Sequence, residues 1–314
     1  MSTIVTDSHI EAARLLKAGG IVAFPTETVY GLGGDVFNES AIERIFKAKR
    51  RPADNPLIAH IASLDQIDLL ASEVTASARV FLERFSPGPL TVVVKRSSNI
   101  SNLVTAGLDT IGVRIPRNQI ARDFLTSCGR PVAAPSANLS GRPSPTTWQA
   151  ALEDLDGRVD CILKGDATEI GLESTVVDCT GDVPIVLRLG AVSLEELRSE
   201  VSGTRPFDGL QNHEVARSPG MLHRHYSPRA KVIVIDAPTP INDSTNAAYI
   251  GLTRRAETFA LSMICGSPEE YAQRLFEFFR ECDRSNIQTI YCEKVKAGGI
   301  GAALMDRLRR AAEI

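Results

Sequence analysis

The sequence predicts an α/β protein in two parts, and three observations carry that expectation. Short apolar runs alternate with helix-period stretches from residue 9 to residue 189, the pattern of strands and helices sharing a sheet. Residues 202–229 then lack periodicity and are rich in Gly, Pro and His. Alternation resumes at Lys231 over a length about minimal for a core of its own. In order, residues 9–17 read as an amphipathic helix ended by Gly19-Gly20, and 21–24 as a strand. Residues 40–49 form a helix with Ser40 as N-cap and Glu43 closing a capping box. A strand at 57–61, a helix at 76–85 stopped by Ser86-Pro87-Gly88-Pro89, and a strand at 90–95 follow. The last is so apolar that both its faces should be buried. Further strands are expected at 111–115, 132–134, 161–164, 174–178 and 186–189, with helices at 119–128 and 147–155. The second part reads as strands at 232–235, 247–252, 261–265 and 289–293 and helices at 268–282 and 302–312. The expected division is 1–203, an extended linker at 204–229, and 230–314.

A length of 314 residues fits two domains, with one large domain as the alternative, and 43% hydrophobic residues suffice for two cores. A net charge of −3 with 23% charged residues gives no global attraction to nucleic acid or anionic membrane, so any RNA contact would need a local basic patch. No stretch reaches the roughly 18 apolar residues of a membrane span, and residues 1–11 carry no signal-peptide pattern. The cysteines at 128, 161, 179, 265, 282 and 292 are scattered without a CxxC pair. They read as reduced, mostly buried thiols of a cytoplasmic protein.

The polar runs between Phe24 and His60 are more informative. Pro25-Thr26-Glu27-Thr28-Val29-Tyr30-Gly31-Leu32-Gly33 stands where an apolar strand runs out, and Lys47 to Arg51 places four cations in five residues. Lys49 offers a point charge and Arg51 a planar fork, a pair suited to different oxygens of one polyphosphate. A solvated helix end, where cations also suit the dipole, is the alternative. Pro52 and Pro56 stiffen the turn and Asp54-Asn55 can hydrogen-bond it. No G-x-x-x-x-G-K-[ST] occurs, Gly31-Leu32-Gly33-Gly34 lacks the third glycine of a dinucleotide loop, and Gly298-Gly299-Ile300-Gly301 reads first as a tight turn. Ser136, Asn138 and Ser140 would align if the preceding strand stays extended, beyond the carboxyl end where open α/β sheets bind ligands; an ordinary turn is the alternative. Residues 171–178 again put hydroxyls at the start of an apolar strand. Thr110 and Arg114 bracket Ile111-Gly112-Val113, and a buried arginine there needs an anionic partner. His60 ends an apolar run, and His223 and His225, without a carboxylate or cysteine cluster nearby, make a poor zinc site. With no Ser-His-Asp order, HExxH or paired-carboxylate signature, the expected chemistry is positioning plus electrostatic stabilisation.

Together these motifs resemble the YrdC family in its long, two-domain form. Pro25 to Leu32 is similar to its opening motif, Lys49-Arg50-Arg51 to its K-x-R, and Ser136-Ala137-Asn138 to its S-x-N. The segment from Ser218 to Pro228 resembles the interdomain linker, and Arg307-Leu308-Arg309 also fits. The resemblance covers nearly the whole chain. It implies a twisted, open, mixed β-sheet with flanking helices plus a small Rossmann-like α/β domain. It also implies a nucleotidyltransferase reaction: L-threonine, bicarbonate and ATP give L-threonylcarbamoyl-adenylate and pyrophosphate, for N6-threonylcarbamoyladenosine at position 37 of tRNA.

By the same resemblance, Thr28, His60, Arg114, Ala134 (through its backbone) and Ser174 hold threonine. Arg51, Asn55, Thr110, Ser136, Ser144, Arg188 and Tyr226 hold ATP, with Tyr226 reaching from the linker as part of a lid. Lys49 and Asn138 complete the catalytic set with Arg51 and Ser136. Mg²⁺ is expected on phosphate oxygens and water, without a protein ligand. Downstream threonylcarbamoyl-transferase machinery and a weak tRNA contact are the expected partners. A non-catalytic RNA-binding module using Lys47, Lys49, Arg50 and Arg51 is the competing reading. A carbamoyl-adenylate enzyme of hydrogenase maturation would need an acylphosphatase-like region and zinc-finger cysteines, which the sequence lacks.

Overall fold

A computed structural model of the chain describes residues 2–207, 227–237, 239, 241, 244 and 246–312. The first part runs β1 (Ile4–Thr6), α1 (His9–Lys17), β2 (Val22–Phe24), β3 (Gly31–Asp35), α2 (Glu39–Lys49) and β4 (Ile58–His60). It continues β5 (Ala71–Glu73), α3 (Ala76–Phe85), β6 (Leu90–Arg96), α4 (Asn102–Thr105), β7 (Thr110–Arg114), α5 (Gln119–Cys128) and β8 (Val132–Ala134). Then come α6 (Trp148–Leu155), β9 (Cys161–Leu163), β10 (Thr175–Asp178), β11 (Ile185–Arg188), α7 (Leu194–Glu200) and β12 (Arg205–Pro206). The second part holds β13 (Lys231–Ile235), β14 (Ala247–Gly251), β15 (Leu261–Ile264), α8 (Pro268–Arg284), β16 (Thr289–Glu293) and α9 (Ile300–Ala312).

The large sheet is mixed, in the order β1-β9-β2-β3-β8-β4-β7-β6-β10-β11-β12, with β5 on the end of β6. Parallel and antiparallel pairs intermingle: β4 runs parallel to β7 with His60 opposite Arg114, while β8 runs antiparallel to β4 with Ala134 opposite Ile58. The small sheet is parallel throughout, β13-β16-β14-β15, as expected of a Rossmann-like unit. Its core is built from β-strand residues and from Tyr271, Leu275, Phe276 and Phe279 of α8 and Leu304 and Leu308 of α9. Val29 and Leu172 of the first part are buried in this same cluster, so the two parts share apolar packing.

Several local expectations need correction. Helix α2 begins at Glu39, capped by Asn38, whose side chain accepts from the Ala41 amide; Ser40 is already inside the helix. The capping box is instead at Ser193 and Glu196 of α7. Gly31–Asp35, for which the sequence carried no strand expectation, is a central strand buried along its length. Its glycines are what the neighbours require: a Cβ on Gly33 would come 2.6 Å from Val132 Cγ1 and 2.9 Å from Phe24 Cε1. Close packing here overrides low strand propensity. Strands β1, β5 and β12 are too short to show a period. The apolar run at 90–95 forms β6, and its residues Leu90 to Val94 are all buried. All six cysteines are buried and unpaired.

Candidate active site

The two faces of the central strands differ. Leu57, Ala59 and Ile61, with Ile111, Val113, Val92 and Val94, join the main core against Ile42, Ile45 and Phe81 of α2 and α3. The opposite face, under β2, β3, β8 and β9, is covered by α1 and α5 through Leu16, Phe124 and Leu125. Beyond those helices the same face is open over β4 and β7. There a hollow open to solvent is lined by Ile58, His60, Arg114, Ala134 and Ser136, among others. Ile58 and His60 stand two residues apart and so share a face. The site therefore lies across a sheet face, and only part of it extends from strand ends as the sequence led one to expect.

Three arginines reach the hollow: Arg51, Arg114 and Arg188. Arg114 is 4% exposed, on the last residue of β7. Its guanidinium donates to Glu27 Oε1 at 2.7 Å, to Thr28 Oγ1 at 2.8 Å and to the Gly88 carbonyl at 3.2 Å. Glu27 is the anionic partner that a buried strand arginine demands. Burial pushes the Glu27 carboxyl up, but the adjacent guanidinium and hydrogen bonds outweigh it and hold the group below the usual carboxylate range. Arg188 ends β11 and donates to the Ser174 carbonyl at 3.0 Å and to Ser174 Oγ at 3.1 Å; Ser174 Oγ also lies 2.8 Å from Thr91 Oγ1. Arg51 sits just past the left-handed C-cap of α2 at Arg50 and donates to the Asn55 and Pro56 carbonyls at 3.1 Å. His60 packs edge-on to Phe24, with Nδ1 3.2 Å from the Ile58 carbonyl. Burial, and then the charge of Arg114, push its pKa down to about 3, so the ring is neutral near pH 7.

The K-x-R and S-x-N motifs meet. Lys49 is buried and donates to the carbonyls of Ser136 and Asn138, while its own carbonyl accepts from the Ser140 amide at 2.9 Å. Ser136 Oγ donates to Asn138 Oδ1 at 2.5 Å, and Asn138 Nδ2 donates to the Leu139 and Arg142 carbonyls. Burial, then the charge of Arg51, hold the Lys49 amine well below the usual lysine range. Lys49 thus fastens the 136–140 loop from behind, and Arg51 is the cation of that motif that faces the hollow. Thr28, His60, Arg114, Ala134, Ser136, Asn138, Ser144, Ser174, Arg51 and Arg188 all line this one hollow. Thr110 lines a smaller adjoining one with Thr91, Gly112 and Leu108, and Ile58 borders both. Asn55 is buried behind Arg51. Tyr226, with His213, His223 and His225, lies outside the described residues. Among the described residues no group of three or more His, Cys, Asp or Glu could hold a metal ion.

Sequence reasoning gave no role to two carboxylates that organise the site. Glu27 was visible as the one acid in a run of threonines, and the demand of Arg114 for a partner could have singled it out. Glu173 lines the hollow, accepts from Ser144 Oγ at 2.6 Å and pairs with Arg307 at 2.9 Å. Its partner is 134 residues away in the chain, a distance no local pattern reports. Close by, Gly190 keeps β11 and the 173–175 segment in contact, since a Cβ there would come 2.2 Å from the Thr175 amide nitrogen. Gly190→Ala is expected to cost about 3 kcal/mol, the upper end for overpacking, measured as a fall in the urea midpoint at unchanged slope.

A family model described as "Telomere recombination", covering Sua5, YciO and YrdC, matches residues 14–190. The chain belongs to the Sua5/YciO/YrdC family. A second model, described as the C-terminal domain of threonylcarbamoyl-AMP synthase, matches residues 192–313, so this is the two-domain form of the family. The threonylcarbamoyl-AMP synthase of Pyrococcus abyssi is 41% identical, over 96% of this chain and 92% of its own length. That of Bacillus subtilis is 37% identical over the same shares. The crystal structure of P. abyssi Sua5 complexed with L-threonine superposes with a TM-score of 0.91 at 39% identity, covering 99% of this chain and 97% of that one. No helix among the described residues is long and apolar enough to cross a membrane.

Proposed function

We infer that this member of the Sua5/YciO/YrdC family is a threonylcarbamoyl-AMP synthase, joining L-threonine, bicarbonate and ATP into threonylcarbamoyl-AMP with release of pyrophosphate. The observation that carries the reading is the convergence of Arg51, Arg114 and Arg188 with a row of hydroxyls in one hollow. Arg114, held rigid by Glu27 and Thr28, offers a fork to the amino-acid carboxylate, with Thr28, His60, Ala134 and Ser174 around the rest of threonine. Arg51 and Arg188 face the phosphates, with Ser136, Asn138 and Ser144 beside them. Thr110 and Asn55 belong to the nucleotide end, where the smaller hollow adjoins the larger through Ile58. By the family resemblance Tyr226, outside the described residues, is assigned to ATP.

The threonine amine takes up carbon dioxide from bicarbonate as a carbamate. A carbamate oxygen then forms a bond to the α-phosphorus while the bond from that phosphorus to the bridging oxygen breaks and pyrophosphate leaves. A carbamate is already nucleophilic, so the protein supplies orientation, cationic stabilisation and exclusion of water. Both carboxylates near the hollow are charge-paired, Glu27 with Arg114 and Glu173 with Arg307. This fits magnesium arriving on the nucleotide rather than resident on the protein, and when bound it would neutralise charge on the leaving pyrophosphate. The domain division at 203/204 and 229/230, a cytoplasmic setting, and hand-over of the adenylate to a threonylcarbamoyl-transferase acting on tRNA complete the reading. A direct RNA-binding role draws less support: of the four cations Lys49 is buried and Arg51 lines the hollow, which leaves Lys47 and Arg50 on the surface.

The test is pyrophosphate release by the purified protein with ATP, magnesium and bicarbonate, with and without L-threonine. Release should depend on threonine and fall at least about tenfold in Lys49→Ala, as loss of its hydrogen bonds frees the 136–140 loop. Absence of threonine-dependent release from folded protein would overturn the reading, and salt-dependent tRNA binding would then be measured.

A further inference from the structure

Two arginines of the second domain are buried against the first. Arg307 of α9 is 0% exposed and Arg280 of α8 is 3% exposed, so neither serves as a solvated surface charge. Arg307 pairs with Glu173 Oε2 at 2.9 Å and donates to the Leu189 carbonyl at 2.9 Å. The other oxygen of Glu173 accepts from Ser144 Oγ at 2.6 Å. Arg280 pairs with Asp154 at 2.8 Å and donates to the Pro143 carbonyl at 2.6 Å. Asp154 in turn accepts from the Leu139 amide at 3.1 Å and from Arg142 at 2.6 Å, and the Arg142 carbonyl accepts from Asn138. From separate helices, the two guanidinium groups therefore converge on the 138–144 segment, one through a side chain and one through backbone. Arg307 also reaches the residue after Arg188.

The seam between the domains is close. Gly171, at φ +78°, lies under α8, where a Cβ would come 2.4 Å from Gln273 Cα and 2.6 Å from the Ala272 carbonyl oxygen. Gln273 Nε2 donates to the Thr168 carbonyl at 3.1 Å, and Leu172 is fully buried in the second domain's core. Helix α8 is thus seated on the first domain by backbone contact, which gives the arginines a rigid base.

We propose that Arg280 and Arg307 are positioning residues for the nucleotide end of the site, so that the second domain completes the catalytic hollow of the first by holding its 138–144 and 173–189 walls in register. This rests on the functional reading above, in which Ser144, Asn138 and Arg188 face ATP, while of the threonine contacts only Ser174 lies on a wall the arginines hold and Arg114, Thr28, His60 and Ala134 stand on elements that neither arginine touches. The two substrates should therefore respond differently. A buried charge stripped of its partner is strongly destabilising, whereas removing both charges together is tolerated far better. The variants are therefore Arg307→Met, the double variant Arg307→Met/Glu173→Gln, and Arg280→Met.

Calorimetric affinities for Mg-ATP and for L-threonine, with the two KM values, decide the matter. In the full-length folded variants, ATP affinity is expected to fall at least tenfold while L-threonine affinity stays within twofold. The double variant should regain thermal stability without regaining ATP affinity, because the amide that replaces the Glu173 carboxylate still lacks its anchor. The proposal is overturned if the double variant and Arg280→Met bind ATP like the wild type. It is equally overturned if both substrates weaken together, the signature of a merely structural role. A wild-type protein that does not bind ATP would instead overturn the functional reading itself.

Discussion

Replacing Arg114 by methionine is expected to abolish detectable L-threonine binding and to destabilise the fold by about 3–5 kcal/mol, the cost of breaking a buried ion pair from one side. The expectation follows from the environment of Glu27, which is 0% exposed and has one oxygen on Arg114 while the other, Oε2, has no hydrogen-bond partner. Without the guanidinium that carboxylate would lie in a nearly dry site with only backbone hydrogen bonds to offset burial. Arg114→Lys separates stability from recognition. It keeps a positive charge but cannot reach Glu27, Thr28 and the Gly88 carbonyl with one planar group. Losing about two charge-assisted hydrogen bonds predicts a hundredfold or greater weakening of L-threonine binding at a smaller stability cost. Calorimetry with L-threonine and urea unfolding measure the two effects, and unchanged threonine affinity in Arg114→Lys would remove Arg114 from the carboxylate site.

The same pair predicts a change in pH dependence. In the wild type the Glu27 carboxyl is depressed when folded, so its contribution is present above the unfolded value near 4.5 and is lost as pH falls through the lower folded value. In Arg114→Met burial is opposed only by backbone hydrogen bonds from Glu27 and Arg117, the folded value rises, and the variant's stability deficit relative to the wild type should shrink as pH is lowered from 7 toward 5. A variant whose stability keeps the wild-type slope would show that Glu27 is not governed by Arg114.

His60 predicts the second large effect. Its folded value near 3 lies below the unfolded 6.5, so below pH 6.5 the unfolded chain binds a proton that the folded chain refuses. Stability is therefore complete above pH 6.5 and declines as pH falls below it. Between pH 8 and pH 5 the loss from this one residue amounts to about 2 kcal/mol. His60→Gln, which does not titrate, should flatten the urea stability profile by that amount over this interval while leaving the profile above pH 7 parallel to the wild type. Profiles that stay parallel down to pH 5 would show that solvent reaches the ring.

Much of the fold was legible because its elements obey local rules. The helix at 119–128, capped by Asn118 and ended by Gly129 at φ +68°, and the Val-rich strand at 90–95 carry their signals within ten residues. The central strand Gly31–Asp35 carried the opposite signal, because its glycines answer to Phe24 and Val132 on neighbouring strands. That most of the residues proposed for the site come together in one hollow was legible for a different reason. Thr28, Lys49, Arg51, Ser136 and Asn138 are polar groups in places where a core needs none, and their order along the chain resembles one family.

What each site residue touches was not legible. Lys49 could be named from the sequence as a cation of a phosphate cradle, yet only the folded chain turns it inward onto the Ser136 and Asn138 carbonyls, leaving Arg51 to face the hollow. Side-chain direction depends on where the helix ends and on what is packed behind it. By itself the sequence determined the α/β class, the two-part organisation and the cast of polar residues, because periodicity and composition act over short spans of chain. Only the tertiary structure decided that the site lies across a sheet face beyond α1 and α5. It alone paired Glu27 with Arg114 and joined Glu173 to Arg307 across 134 residues, because a buried charge takes its partner from whatever the fold brings near.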